Sequence, residues 1–250
     1  DSWSGFLEKG IGIYVGRKEI IAVSVSIAKG VPELRQFAVE PIGAAASASS
    51  VKAKKNPARK QLTPEADAIA RALEKVGARG SHVIASFNPF HLATRYFEMP
   101  AIPKREWPEA IRYEAGRYIP FKLSESISDY HAVERKTDSG AGILAVTVTA
   151  VKKDSLRSCV THLRGGSSRP DMIEPVFAAL SRVISKVEKA APAGTYGFIF
   201  VDTDGSVNIS LARDGVTYLS RDFLLSEDRR TNETRFYEEL KASFDFIHEK

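Results

Sequence analysis

The sequence predicts an α/β fold in two lobes that begin alike. Three observations carry this. Two strand-like runs meet at a glycine turn near the N-terminus, and a second such pair recurs after residue 195. Between them, amphipathic helical stripes alternate with short β-branched runs, the order expected of sheets with helices on their faces. The chain has 250 residues, 43% hydrophobic and 27% charged, which suits a globular protein with a sizeable core and not a disordered one.

The elements follow in order. Residues 10–28, GIGIYVGRKEIIAVSVSIA, hold two apolar runs around Gly16-Arg17-Lys18, which makes a hairpin. Glu33 to Val39 alternates weakly and is expected as a third strand. Residues 43–62 are small, polar and basic, with loop composition. Thr63 then caps a helix with Pro64 in its first position and Glu65 and Asp67 at its positive end. Ala66, Ile69, Ala70, Leu73 and Val76 form its stripe, and Gly77 and Gly80 end it. His82–Phe87 and Ala93–Met99 read as strands, punctuated by Pro100 and Pro103. A helix is expected near Trp107–Tyr118, with Trp107, Ile111, Ala115 and Tyr118 on one face and Pro120 at its stop.

Ser128–Arg135 and Ile143–Val151 look like paired strands joined around Asp138-Ser139-Gly140. A helix from about Asp154 to Arg164 runs to Gly165-Gly166. A longer amphipathic helix is expected over 175–189, with Val176, Phe177, Leu180, Val183, Ile184 and Val187 on one side. Strands at Tyr196–Asp202, Val207–Ala212 and Val216–Phe223 follow, separated by Gly205 and Asp214-Gly215. The last stretch is helical, with Phe236, Leu240, Phe244 and Ile247 in register.

Composition excludes several classes. Mean hydropathy is -0.19, and no apolar run is long enough to span a membrane. The opening DSWSGFLEKG lacks the basic start and apolar run of a signal peptide. Cys159 is the single cysteine, so no disulfide forms within the chain, and a cytoplasmic setting fits. The net charge of +5 is matched by Lys52, Lys54, Lys55, Arg59 and Lys60, a stretch with no acid. The rest of the chain is formally neutral, which argues against nucleic acid and leaves this loop as solvated or as a contact for anionic lipid. The histidines, 82, 91, 131, 162 and 248, show no metal-ligand spacing. No phosphate-loop, dinucleotide or hydrolase-elbow motif is present.

The glycine turns are the remaining candidates for chemistry. A hairpin turn can aim backbone N–H groups at an anion, and a small residue lets phosphate approach. Gly12 and Gly16 belong to the first turn, where Tyr14 stands in place of an acid; Asp202, Gly205 and Ser206 belong to the second. As raw sequence the signal is weak, and ordinary hairpins explain both turns better than phosphate binding does.

The run Glu114-Ala115-Gly116-Arg117-Tyr118-Ile119-Pro120-Phe121-Lys122-Leu123-Ser124-Glu125, followed by Asp129-Tyr130, resembles the PilM family of type IV pilus assembly proteins. Phe97-Glu98-Met99-Pro100 and the Ile173-Glu174-Pro175 to Ala179-Leu180 run match in kind and spacing, and the resemblance covers about residues 10–225. It implies an actin-like fold related to the FtsA division protein. A first lobe is expected over 1–97 plus 171–190, an inserted subdomain over 98–170, and a partial second lobe, truncated or reduced, over 191–250. It implies a non-enzymatic scaffold, cytoplasmic and peripheral to the inner membrane. Such a scaffold binds the cytoplasmic segment of a PilN-like membrane partner between first lobe and insertion. Tyr118, Ile119, Pro120 and Phe121 are the candidate partner-binding residues; closing the insertion's own core is the other role open to them. Residues 52–60 would add a peripheral membrane contact.

The departures from the family concern ATP. The first hairpin reads Tyr14-Val15-Gly16-Arg17 where the family has Asp-Ile-Gly-Ser, and the second reads Asp202-Thr203-Asp204-Gly205-Ser206 where it has Asp-Ile-Gly-Gly-Thr. The nucleotide cleft is therefore expected to be degenerate, with no cofactor or only weak ATP binding. Two alternatives accompany the reading: a GspL-like cytoplasmic domain of type II secretion that docks the secretion ATPase, and an actin-like ATPase.

Overall fold

Gly16 donates its N–H to the Glu19 carbonyl at 3.1 Å, closing the turn between β1 (Lys9–Val15) and β2 (Glu19–Ala28). The computed structural model describes residues 9–28, 30–43, 63–87, 92–137, 139–165, 169–187, 195–213, 216–226 and 228–248. The basic loop residues 52–60 and His91 lie outside these. The chain divides into two units, Asp1–Asn88 with Leu156–Val176, and Pro89–Ser155 with Phe177–Lys250.

In the first unit β3 (Val31–Pro41) continues the hairpin into an antiparallel meander. β4 (His82–Phe87) runs parallel to β1, and β8 (Met172–Pro175) runs parallel to β4, giving the order β3-β2-β1-β4-β8. Because successive strand residues face opposite ways, Ile11, Ile13, Ile20 and Ala22 fall on one face. They form one core with Ala68, Ile69, Ala72 and Leu73 of α1 (Pro64–Lys75) and Leu163 of α3 (Lys153–Gly165). α1 begins as expected: Thr63 Oγ1 accepts the Ala66 N–H at 3.3 Å, and Pro64 fills the first turn. Gly77 follows the helix with φ +64, a left-handed value that suits glycine. Its carbonyl accepts from Lys9 Nζ at 2.7 Å.

Two polar groups pin this unit. Glu40, at the sheet face under α1, is 5% exposed. Its carboxylate meets Arg71 Nε at 2.8 Å and Lys75 Nζ at 2.5 Å. Burial pushes the Glu40 carboxyl up, but hydrogen bonds and charge from Lys75 and Arg71 outweigh this and hold it below the usual range. Asp171, just before β8, accepts the Val83 N–H at 2.8 Å and returns its own N–H to the Val83 carbonyl at 2.8 Å. By sequence pattern β8 does not separate from the helix that follows it. Four residues are too few to show a period, and β8 exists because a parallel neighbour, β4, pairs with it.

The second unit holds two three-stranded sheets. β5 (Leu92–Pro100), β7 (Gly142–Lys152) and β6 (Ser126–Lys136) form one, antiparallel, in the order β5-β7-β6. α2 (Trp107–Ala115) sets Ile111 and Ala115 into a core with Ala93, Phe97, Leu144, Val146 and Val148. α2 ends at Ala115, one turn short of the expected Tyr118: Gly116 is still right-handed, but the next bonds, Arg117 N–H to the Glu114 carbonyl and Tyr118 N–H to the Ala115 carbonyl, tighten to three-residue turns toward Pro120. Tyr118 is 42% exposed and stacks on Phe97 of the same core at 5.4 Å between centroids, so it covers the rim of that core and is not buried within it as Ile111 is.

β9 (Thr195–Val201), β10 (Ser206–Arg213) and β11 (Val216–Leu224) form the other sheet, in the order β11-β10-β9. α5 (Arg229–His248) packs Phe236 and Leu240 on Val207, Ile209 and Phe223. The other face of β10 is polar yet buried. Asn208 and Ser210 are 0% exposed and bond to each other at 2.6 Å; Asn208 Nδ2 also reaches Ser220 Oγ at 2.9 Å and Asp222 Oδ1 at 2.7 Å. The two sheets meet where the Tyr96 and Tyr218 rings lie 4.4 Å apart and Thr147 Oγ1 donates to the Thr217 carbonyl at 2.6 Å. α4 (Val176–Val187) connects to β9 through Ser181 and Tyr196, whose hydroxyls lie 2.9 Å apart.

Candidate functional site

The two glycine turns lie in different units and each is accounted for locally. Gly12 pairs with Val23 and Ile84 across the sheet, and a Cβ there would meet Val23 Cγ2 at 3.1 Å. Its missing side chain serves sheet packing. Tyr14 is half-buried within the same strand, opposite Ile21 and Ser86. In the second unit Gly205 has φ +85, and its N–H donates to the Asp202 carbonyl at 3.0 Å. The Asp202 carboxylate accepts the Thr203 N–H at 2.7 Å, and the Asp204 carboxylate accepts the Ser206 N–H at 2.7 Å. Three backbone donors of this turn thus already have oxygen acceptors from the turn itself. Asp202 is 8% exposed and Ser206 is 0% exposed.

The run Tyr118–Phe121 divides into distinct roles. Ile119 is 7% exposed and belongs to the core that holds Ile111. The Tyr118 hydroxyl donates to Glu114 Oε1 at 3.3 Å, and its carbonyl accepts from Arg95 Nε at 3.2 Å. Pro120 and Phe121 reach a cavity of about 630 Å³. Leu92 and Ala93 complete its apolar side, and Arg95, Lys152, Arg221, Asp222 and Glu239 bring charge to it.

The electrostatics of this cavity are specific. Arg221 Nη1 lies 3.3 Å from Glu239 Oε2. Lys152 Nζ lies 5.9 Å over the Phe121 ring, a cation–π contact. Asp222 keeps over a third of its surface in water, yet protein around its carboxyl pushes the pKa up; the Asn208 hydrogen bond and the Arg95 charge oppose this. A second cavity of about 500 Å³ lies beside Ile111, Leu123, Tyr130 and Lys153.

The charged residues of the larger cavity escape sequence reading because they come from β5, β7, β11 and α5. Only the adjacent Arg221-Asp222 pair inside an otherwise apolar-alternating strand is a visible signal. Among the described residues no group of three His, Cys, Asp or Glu side chains could hold a metal ion. Burial pushes the Cys159 thiol up to about 11, which leaves it protonated and unreactive. No helix of the described residues is long and apolar enough to cross a membrane.

The fold has relatives among solved structures. Over 87% of its length the chain superposes on the PilM-PilN type IV pilus biogenesis complex, with a TM-score of 0.67 and 20% identity. Over 86% it superposes on the cytoplasmic domain of EpsL, an inner membrane component of the type II secretion system of Vibrio cholerae, with a TM-score of 0.51 and 12% identity. The chain spans 62% of the length of the first and 71% of the second. No protein-family description matches the chain, and no curated protein does. The chain therefore shares the fold of the PilM structure, with the sheet order β3-β2-β1-β4-β8 in the first unit.

Proposed function

We propose that the chain is a non-enzymatic assembly scaffold at the cytoplasmic face of an inner membrane. In this reading it binds the cytoplasmic segment of a PilN-like membrane protein within a type IV pilus platform. The likeness to PilM in its complex with PilN, at a TM-score of 0.67, is the observation that carries it. The three-part division into 1–97 with 171–190, 98–170 and 191–250 belongs to the same reading, as does a membrane contact through residues 52–60. Pro120 and Phe121, at the rim of the larger cavity, are the partner-binding candidates kept from the Tyr118–Phe121 run.

The nucleotide site is degenerate in this proposal. Support comes from Asp202 and Asp204, whose carboxylates occupy the turn's own N–H groups. A phosphate approaching that turn meets two negative charges where it needs donors. Tyr14 in place of a carboxylate also removes a hard oxygen ligand for Mg²⁺.

The likeness to EpsL favours one alternative, a GspL-like domain of type II secretion that docks the secretion ATPase. Calorimetric titration separates the two. The chain is titrated with the N-terminal cytoplasmic peptide of a PilN-like protein, with a scrambled copy, and with the N-terminal domain of a type II secretion ATPase. Saturable binding of the first peptide alone supports the pilus reading. Binding of the ATPase domain alone replaces it, and no binding by either sinks both.

A further inference from the structure

We propose that the 630 Å³ cavity of the second unit binds an extended peptide through one carboxylate side chain next to an apolar residue. This deepens the scaffold reading and rests on it. The cavity's own acids are already engaged. Glu239 pairs with Arg221 Nη1 at 3.3 Å, and Asp222 accepts from Asn208 Nδ2 at 2.7 Å beside the Arg95 charge.

What remains is positive. Lys152 reaches no carboxylate among the described residues; its Nζ rests over the Phe121 ring. Arg221 Nε is buried without a hydrogen-bond acceptor. That nitrogen is itself out of reach of solvent, so a carboxylate supplied from outside meets the exposed third of the Arg221 side chain and the Lys152 ammonium, both strong charge-assisted donors.

Charge then selects the class of ligand. Arg95, Lys152 and Arg221 face Asp222 and Glu239, an excess of one positive charge. A polyphosphate would bring several negative charges into space that two carboxylates already share. One Glu or Asp side chain matches the excess. Leu92, Ala93, Pro120 and Phe121 offer the apolar wall for its neighbour.

The test is an NMR titration of the ¹⁵N-labelled full chain with the capped tetrapeptide acetyl-Ala-Leu-Glu-Ala-amide and its Leu-Gln and Ser-Glu analogues. The Leu-Glu peptide is expected to move the Arg221 Nε–Hε signal and the backbone signals of Phe121 and Lys152 along one saturable isotherm. The Leu-Gln peptide should bind about tenfold more weakly, and Lys152→Gln should weaken the Leu-Glu peptide about fivefold with the rest of the spectrum unchanged. Equal affinities for the Glu and Gln peptides, or a stationary Arg221 signal, overturn the proposal. So does Mg-ATP moving the same signals at lower concentration than the peptide. If the PilN-like segment binds the chain but the tetrapeptides do not, the cavity assignment falls and the scaffold reading stands. If the tetrapeptide behaves as expected and the segment does not bind, the cavity stands as a site for a different acidic segment and the PilN-like partner falls.

Discussion

Glu40 shows how much one side chain decides in the first unit. It is a buried carboxylate facing Arg71 and Lys75, with a pKa held below the ordinary range. A depressed carboxylate stabilises the fold fully above its unfolded pKa, about 4.3, and the contribution disappears as pH falls through the lower folded value. Urea midpoints measured from pH 7 downward should therefore drop below about pH 4.3. In Glu40→Gln that part of the drop should vanish, with a cost of about 1–3 kcal/mol at pH 7. Gly205 is the corresponding backbone position. At φ +85, with the Leu225 carbonyl 3.4 Å from where a Cβ would sit, it should lose about 1–2 kcal/mol on Gly205→Ala, read from the same melts. Glycines and caps such as Thr63 are legible in the sequence because their chemistry is local. Glu40 is not, because its partners sit in α1, more than thirty residues further along the chain, and only the folded register brings them together.

At the scale of elements, α2 is held by two buried residues, Ile111 and Ala115, of which Ile111 is the large one. Ile111 is 2% exposed within the core of Phe97, Leu144 and Val148, and Ile111→Ala should cost about 2–5 kcal/mol. Trp107, half-buried with its Nε1–H on the Ile102 carbonyl at 3.0 Å, should lose less on Trp107→Ala, about 1–3 kcal/mol. Denaturant melts that rank the two variants in reverse would show that the helix leans on its N-terminal end. Strands rich in β-branched residues, such as β7, and helices with a clear stripe, such as α1, are readable from local pattern alone. β3 reads as weak because it carries a bulge. The pairing steps from Ser24↔Gln36 to Val25↔Leu34, so Phe37 and Leu34 share a face although three positions apart.

On the scaffold reading proposed above, the chain is expected to bind protein segments and not nucleotide. Calorimetry with Mg-ATP should give no heat of binding at micromolar protein and no phosphate release, because the Asp202–Ser206 turn is occupied by its own carboxylates. A micromolar dissociation constant would overturn the degenerate-site reading. Asp204→Gly, which frees the Ser206 N–H and removes a charge, should shift the result toward binding if phosphate ever uses this turn. The α/β class and most of the element order are legible in the sequence because they follow from local patterns, whereas β8 needs its partner strand to exist. The larger cavity is not, since its charged groups come from four separate elements and only Arg221 and Asp222 among them are adjacent in the chain.

The bulge in β3 also bears on how sequences of this fold can differ in length. Arg35 is the residue skipped in the ladder, and its side chain reaches Ser26 and Glu33 at the surface. Deleting it would leave the pairs on either side as they are and turn the bulge into a regular ladder. Strands ordinarily forbid insertion and deletion, because a one-residue slip turns every side chain over. Here the slip is already built in. A homologue one residue shorter at this point would keep Phe37, Val39 and Leu34 on the same side of the sheet.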